Sequence, residues 1–181
     1  NVYHTKEDMI ECVNAFYEGM VARGEEMKHH PDYKTGENYA YLGLPPCFLI
    51  FDEYVAFLEM LGTKESMSLL SQLKKIVMLG RQAGYFLIVA CQRPDAKYFS
   101  DGIRDNFNFR VGLGRISELG YGMLFGSDVK KQFFQKRIKG RGYCDVGTSV
   151  ISEFYTPLVP KGHDFLQTIG SLALARQAVP E

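Results

Sequence analysis

The 181 residues carry no net charge: 21 Lys and Arg stand against 21 Asp and Glu. That excludes a uniformly basic nucleic-acid binder and an acidic solvating tail. No apolar run approaches the roughly 20 residues of a bilayer-crossing helix, and no basic-then-apolar signal pattern opens the chain, so it reads as soluble. Cysteine is sparse and scattered: Cys12, Cys47, Cys91 and Cys144 form no CxxC pair, which argues against a zinc site or a disulfide framework. Buried free thiols are the expectation. His29-His30 lacks partners at metal-ligand spacing, and nothing suggests a nucleophilic Ser or Cys triad. Internal repeats and low-complexity stretches are absent. So is a glycine-rich phosphate cradle of the form GxxxxGK followed by Ser or Thr.

What is present fits one domain or one lobe of a larger one, with enough length to bury a sizeable core. The neutral total conceals an asymmetry. Residues 1–92 sum to −4, residues 93–142 to +6 and residues 143–181 to −2. A basic stretch in a neutral chain is a possible phosphate footprint or simply a solvated surface. The chain opens on Asn1 rather than Met, consistent with a piece of a longer protein.

Thr5 followed by Asp8, with Met9, Val13, Phe16 and Met20 at alternating steps of four and three, predicts a helix over 6–28. Residues 29–46 are polar and turn-rich, a surface loop. The apolar run Cys47 to Phe51 predicts a strand buried on both faces, stopping at Asp52-Glu53. A helical turn over Tyr54 to Met60 follows, then an amphipathic helix marked by Met67, Leu70, Leu73, Val77 and Gly80 that ends at Gly84. Tyr85 to Ala90 predicts a second buried strand, ending in Cys91-Gln92-Arg93-Pro94. Strand, helix and strand in that order, with both strands apolar, indicate a parallel α/β sheet. Further on, Ile103 to Phe107 predicts a short helix and Phe109 to Leu113 a third strand. Gly140 to Tyr155 reads as short strands or a hairpin with turns at Gly142 and Gly147, and Asp164 to Gln177 as a helix capped by Asp164.

Ligands of open parallel sheets collect at the carboxyl ends of the strands, which here carry Asp-Glu and Gln-Arg. An apolar strand ending in Asp-Glu is the Walker B pattern: Asp52 would hold magnesium through water, and Glu53 would polarise the water that attacks a γ-phosphate. Gln92, ending the neighbouring strand, can hydrogen-bond that phosphate or water. The same residues also read as a solvated acidic pair and a strand-end cap. Phe133 and Phe134 read as core rather than as base-stacking platforms.

Three strings in sequence, Phe48-Leu49-Ile50-Phe51-Asp52-Glu53-Tyr54, Gly80-Arg81-Gln82-Ala83-Gly84 and Ala90-Cys91-Gln92-Arg93-Pro94, resemble the FtsK/SpoIIIE family of DNA-translocating ATPases. That family has an IDE-type Walker B, an ARAAG-like turn and an ATQRP strand end. Ile103 to Val111 resembles its IKANFPTRI segment, and Met20, Arg23 and Met27 fit a Met-x-x-Arg region ahead of Walker B. The likeness covers most of 1–155, without the Walker A segment that lies upstream in the family. The more divergent members carried by Gram-positive conjugative elements fit best, given the long 28–46 loop and the ending after Lys161.

The resemblance implies a partial RecA-like P-loop NTPase core over 1–165, an α/β domain with a mainly parallel sheet flanked by helices, followed by a helix or tail over 166–181. It implies a homohexameric ring that hydrolyses ATP with Mg2+ and pumps double-stranded DNA, in conjugative transfer ahead of chromosome segregation. By position Asp52 matches the magnesium-associated aspartate, Glu53 the catalytic base, Gln92 the polar sensor, and Arg81 the arginine inserted into the neighbouring subunit's site. For Arg81 the alternative is a helix C-terminal cation complementing the dipole. Where the family carries a Val-Ser-Ser-Lys-type segment, this chain has Leu113-Gly114-Arg115-Ile116-Ser117-Glu118, so Arg115 stands near the family's lysine. Lys130, Lys131, Lys136, Arg137, Lys139 and Arg141 become candidates for DNA or subunit contact. The fragment alone is expected to be inactive, and to belong to the cytoplasmic part of a bacterial protein anchored in the membrane by segments outside this chain. Rival readings are a related ring ATPase that exports protein and a non-catalytic nucleotide-binding scaffold. A sheet lacking its Walker A strand is expected to expose an edge, compensated by another chain or accompanied by marginal stability.

Overall fold

The computed structural model describes residues 2–93, 97–99, 101–127, 129, 138–148 and 150–177. Helix α1 (Lys6–Lys28) starts where Thr5 Oγ1 accepts the Asp8 N–H at 3.2 Å. It buries Val13, Met20 and Met27 against α3 (Thr63–Ala83). The first turns of the two helices are joined by Glu65, which accepts the Gly62 N–H at 2.8 Å and pairs with Lys6 at 3.2 Å. Those two contacts hold the Glu65 carboxyl below the usual carboxylate range.

Strands β1 (Cys47–Phe51) and β2 (Tyr85–Val89) pair in parallel, Cys47 opposite Tyr85 through Phe51 opposite Val89. Leu49 and Phe51 face the α1–α3 layer and are buried. The other face is not covered: Phe48, Ile50 and Ile88 are 54, 66 and 47% exposed. This corrects the expectation of a strand buried on both faces. A run of consecutive apolar residues gives each face of the strand the same chemistry, but α1 and α3 pack on one side only. Among the described residues β1 has β2 as its single strand partner, so the expected open edge is present.

The helix α3 buries Leu69, Leu73, Ile76, Gly80 and Ala83, whereas Met67, read from the sequence as part of the core stripe, is 69% exposed. Two apolar stripes share this helix, and the one shifted toward Leu69 and Ile76 meets α1. The turn from α3 into β2 depends on two glycines. Gly84 sits at φ +77° with the Tyr39 ring over it, and a Cβ at Gly80 would lie 2.2 Å from the Tyr85 carbonyl oxygen. The Gly-x-x-x-Gly spacing of 80–84 is therefore a packing requirement of the helix-to-strand junction. The 29–46 segment runs over the surface but is fastened to this junction. Tyr39 N–H donates to the Gln82 carbonyl at 3.0 Å and the Gln82 amide donates to the Glu37 carbonyl.

Short α2 (Tyr54–Glu59) follows β1, and α4 (Asp101–Arg104) precedes β3 (Arg110–Leu113). β3 does not extend the parallel pair. It pairs antiparallel with β4 (Arg141–Asp145), which pairs with β5 (Ile151–Tyr155). α5 (Glu118–Phe125), capped by Ser117, packs Tyr121 and Phe125 onto Tyr143 and Ile151 in a second small core. Gly147 turns the β4–β5 hairpin at φ +83°, while Gly142 lies inside β4 rather than at a turn. There a Cβ would collide with the Gly112 carbonyl oxygen at 1.9 Å, so the glycine admits the neighbouring strand. α6 (Phe165–Gln177) begins after Asp164, whose Oδ1 accepts the Gln167 N–H at 3.0 Å. Among the described residues no helix is long and apolar enough to cross a membrane.

Candidate nucleotide site

Pairing of Phe51 with Val89 brings the carboxyl ends of β1 and β2 side by side. Two bonds extend the pairing beyond the strands: Ala90 N–H donates to the Phe51 carbonyl at 2.8 Å, and Tyr54 N–H to the Ala90 carbonyl at 3.0 Å. Adjacent strands lie about 4.8 Å apart, so Asp52, Glu53 and Gln92 share one edge of the molecule. Asp52 and Gln92 are exposed and Glu53 is half-buried. Glu53 stands at the N-cap of α2, yet its side chain makes no capping bond. Among the described residues the side chains of Asp52, Glu53 and Gln92 make no hydrogen bond or ion pair, which removes the strand-end-cap reading of Gln92.

Beneath this edge Tyr54 is 1% exposed and packs edge-on against Phe51 at 5.6 Å. Burial, with a smaller contribution from Cys91, pushes its phenol well above the ordinary range. The Cys91 thiol is raised by burial first and by the Glu53 charge second, which places Glu53 within electrostatic reach of the β2 end. Of the four cysteines only Cys144 is buried; Cys12, Cys47 and Cys91 are half-buried, short of the burial expected for all. The acidic edge suits a hard cation: Asp52 offers one exposed carboxylate, which is what magnesium takes from protein when phosphates and water fill its remaining positions.

Arg81 is not at this edge. It occupies the last turn of α3, at the amino end of β2, and five strand residues at about 3.3 Å each put it on the order of 15 to 20 Å from Gln92. Its exposed guanidinium makes no hydrogen bond or ion pair among the described residues. Arg81 therefore cannot reach the Asp52–Glu53 edge of its own chain.

The basic stretch divides. Arg110 is tied to the Phe107 and Leu124 carbonyls at 2.8 and 3.2 Å, and the Arg141 guanidinium lies 4.5 Å from the Tyr155 ring centre. Both have structural roles that composition did not distinguish. Arg115 is exposed beyond β3, just after Gly114 at φ +72°, and Lys139 is exposed before β4. Lys130, Lys131, Lys136 and Arg137, with Phe133 and Phe134, lie outside the described residues.

One cation whose task was not legible from its spacing is Arg23. It donates to the Pro45 carbonyl at 2.8 Å, the Ala83 carbonyl at 3.3 Å and Cys47 Sγ at 3.4 Å, and lies 4.8 Å from the Tyr85 ring centre. The Met20, Arg23 and Met27 pattern was its signal: the methionines enter the core and the arginine between them clamps the amino end of the sheet.

No protein-family profile matches the chain. Among curated proteins it is 56% identical over 168 residues to the FtsK domain-containing protein YdcQ of Bacillus subtilis (strain 168), covering 93% of this chain. The chain spans 35% of that relative's length. Among solved structures it is similar to the pCW3 conjugation coupling protein TcpA in monomer form with ATPγS, at TM-score 0.71 and 16% identity over 93% of this chain and 49% of that one. The cytoplasmic domain of the Thermomonospora curvata Type VII secretion ATPase EccC gives TM-score 0.62 at 22% identity, covering 87% of this chain and 19% of that one. EssC (ATPases 2 and 3) of Geobacillus thermodenitrificans gives 0.63 at 16%, over 97 and 33%. The fold is that of part of a P-loop ATPase domain, and the chain belongs to the FtsK-domain family.

Proposed function

We propose that these residues form the Walker B half of an ATP-driven ring motor that moves double-stranded DNA in conjugative transfer. One observation carries the reading: the parallel β1–β2 register gathers Asp52, Glu53 and Gln92 on one edge with their side chains unengaged. In this reading ATP and Mg2+ are the cofactors. Asp52 holds Mg2+ through water, Glu53 orients the attacking water and accepts its proton, and Gln92 hydrogen-bonds the γ-phosphate or that water. The cradle for the remaining phosphates comes from chain outside these residues, so the 181-residue chain alone is inactive.

Arg81, remote from its own Asp52–Glu53 edge, serves the site of the next subunit, where a planar guanidinium stabilises charge on the transferring phosphoryl group. A head-to-tail contact of that kind closes into a ring, here a homohexamer. Residues 1–165 belong to the motor core and 166–181 to a C-terminal helix or tail. Arg115, Lys130, Lys131 and Arg137 are the proposed DNA or subunit contacts, and the net +6 of residues 93–142 supports sequence-independent binding to phosphates. The motor works in the cytoplasm and reaches the membrane only through segments outside this chain.

The test is the steady-state ATPase rate of the full-length protein with and without duplex DNA. The expected result is stimulation that weakens with added salt, as phosphate contacts do. Activity indifferent to DNA would transfer the reading to protein export, the process named for EccC. A folded ring with no activity would transfer it to a nucleotide-binding scaffold.

A further inference from the structure

Gln92 has no side-chain bond of its own, so its position depends on how the chain around it is anchored. One anchor lies just before it, where the Tyr54 N–H holds the Ala90 carbonyl at 3.0 Å. The other lies after it, at Tyr98, whose side chain is one of the few large ones after β2 that are buried, at 9% exposure. The Tyr98 hydroxyl donates to Glu59 Oε1 at 2.5 Å and accepts from Lys97 Nζ at 3.1 Å. The Tyr54 hydroxyl donates to the Tyr98 carbonyl at 3.4 Å, and the Tyr54 and Phe99 rings lie 5.0 Å apart.

Every one of these contacts except the Lys97 bond ends on α2. That helix begins immediately after Glu53 and ends at Glu59. It is therefore a short rigid rod with Glu53 at one end and the Tyr98 acceptor at the other. An O–H to carboxylate bond of this length is charge-assisted, and the Lys97 to Tyr98 to Glu59 relay polarises it further.

We infer that Tyr98 is a positioning residue: its hydroxyl, held by Glu59, latches the segment carrying Gln92 to the helix that carries Glu53, and so fixes the spacing between water-orienting and phosphate-sensing groups. The inference rests on the ATPase reading above. Neither Tyr98 nor Glu59 touches the reacting atoms; both act through Gln92. A structural role alone would lower stability, whereas a latch changes the rate of the bound complex.

The experiment compares full-length variants by kcat and KM for ATP. Tyr98→Phe removes one oxygen, and the expected result is a fall in kcat of about tenfold with KM within about twofold, because misplacement of a positioned group weakens the transition state rather than ground-state binding. Glu59→Ala should match it. Glu59→Gln should restore most of the rate, since its amide oxygen still accepts the Tyr98 hydroxyl. The double variant Tyr98→Phe with Glu59→Ala should fall no further than either single one.

If Tyr98→Phe fails to fold, the two variants at exposed Glu59 decide between the outcomes. Wild-type kcat in Glu59→Ala, or loss in Glu59→Gln equal to that in Glu59→Ala, overturns the latch. Glu53→Gln in the same preparation separates the two claims. If it is inactive while the latch variants are normal, only the latch fails; if it is as active as wild type, the ATPase reading fails and the latch with it.

Discussion

Mixed in equal amounts, full-length chains carrying Arg81→Ala and full-length chains carrying Glu53→Gln recover ATPase activity that neither shows alone. The expectation follows from where the structure puts the two residues. Glu53 sits at the carboxyl end of β1 and Arg81 in the last turn of α3, at the opposite end of the sheet. Each alone removes a part of every site in a uniform ring, and loss of an arginine that stabilises phosphoryl transfer costs roughly a thousandfold or more. In a mixed ring, an interface that joins the Glu53 edge of an Arg81→Ala chain to the Arg81 turn of a Glu53→Gln chain is intact. Random mixing of a head-to-tail ring makes about a quarter of interfaces intact, so roughly that share of wild-type activity should return. Were Arg81 only a cation complementing the α3 dipole, Arg81→Ala would keep most of its activity and mixing would add nothing.

The second large effect is on stability. Arg23→Ala removes a guanidinium that joins α1 to the Pro45 carbonyl, to the Ala83 carbonyl at the end of α3, to Cys47 at the start of β1 and to the Tyr85 ring at the start of β2. Hydrogen bonds from a charged donor and a partly shielded cation–π contact together make a loss of about 2 kcal/mol a reasonable scale. For a chain of this size that lowers the melting temperature by roughly 4 to 8 °C. Lysine should not rescue, because a single ammonium cannot span two carbonyls, a thiol and a ring face. Because Ala83 lies two residues beyond Arg81, the same substitution should lower ATPase activity by loosening the turn that presents Arg81. A melting temperature within about 1 °C of wild type would remove Arg23 from this role.

The sequence exposed the site's scaffold more fully than its supports. The strand ends at Asp52 and Gln92 were legible because an apolar run stopping at an acid or an amide has few alternatives in an α/β chain, and the structure pairs the two strands in parallel. The boundaries of α1 were legible from Thr5 and the apolar spacing behind it. Harder to read was which face of an apolar element meets the core. In β1 both faces are apolar and one is exposed; in α3 two apolar stripes compete and Met67 falls on the solvent side.

Charge was the least legible. Arg110, Arg141 and Arg23 look alike in composition, yet the first two hold carbonyls and a ring within the β3–β5 region and the third clamps the sheet's amino end. Long flexible cations reach partners tens of residues away, and no local pattern encodes that reach. The Tyr98 to Glu59 contact joins positions 39 residues apart and was invisible for the same reason.

The measurement that bears most directly on the Asp52–Glu53 edge is single-turnover hydrolysis of bound ATP by full-length Glu53→Gln, with the amount of bound nucleotide determined in the same sample. The account predicts wild-type occupancy with hydrolysis slowed by roughly a hundredfold to ten-thousandfold, since the amide keeps the shape of the edge and loses the base. Hydrolysis at the wild-type rate from a fully loaded Glu53→Gln ring would contradict it and place the chemistry elsewhere.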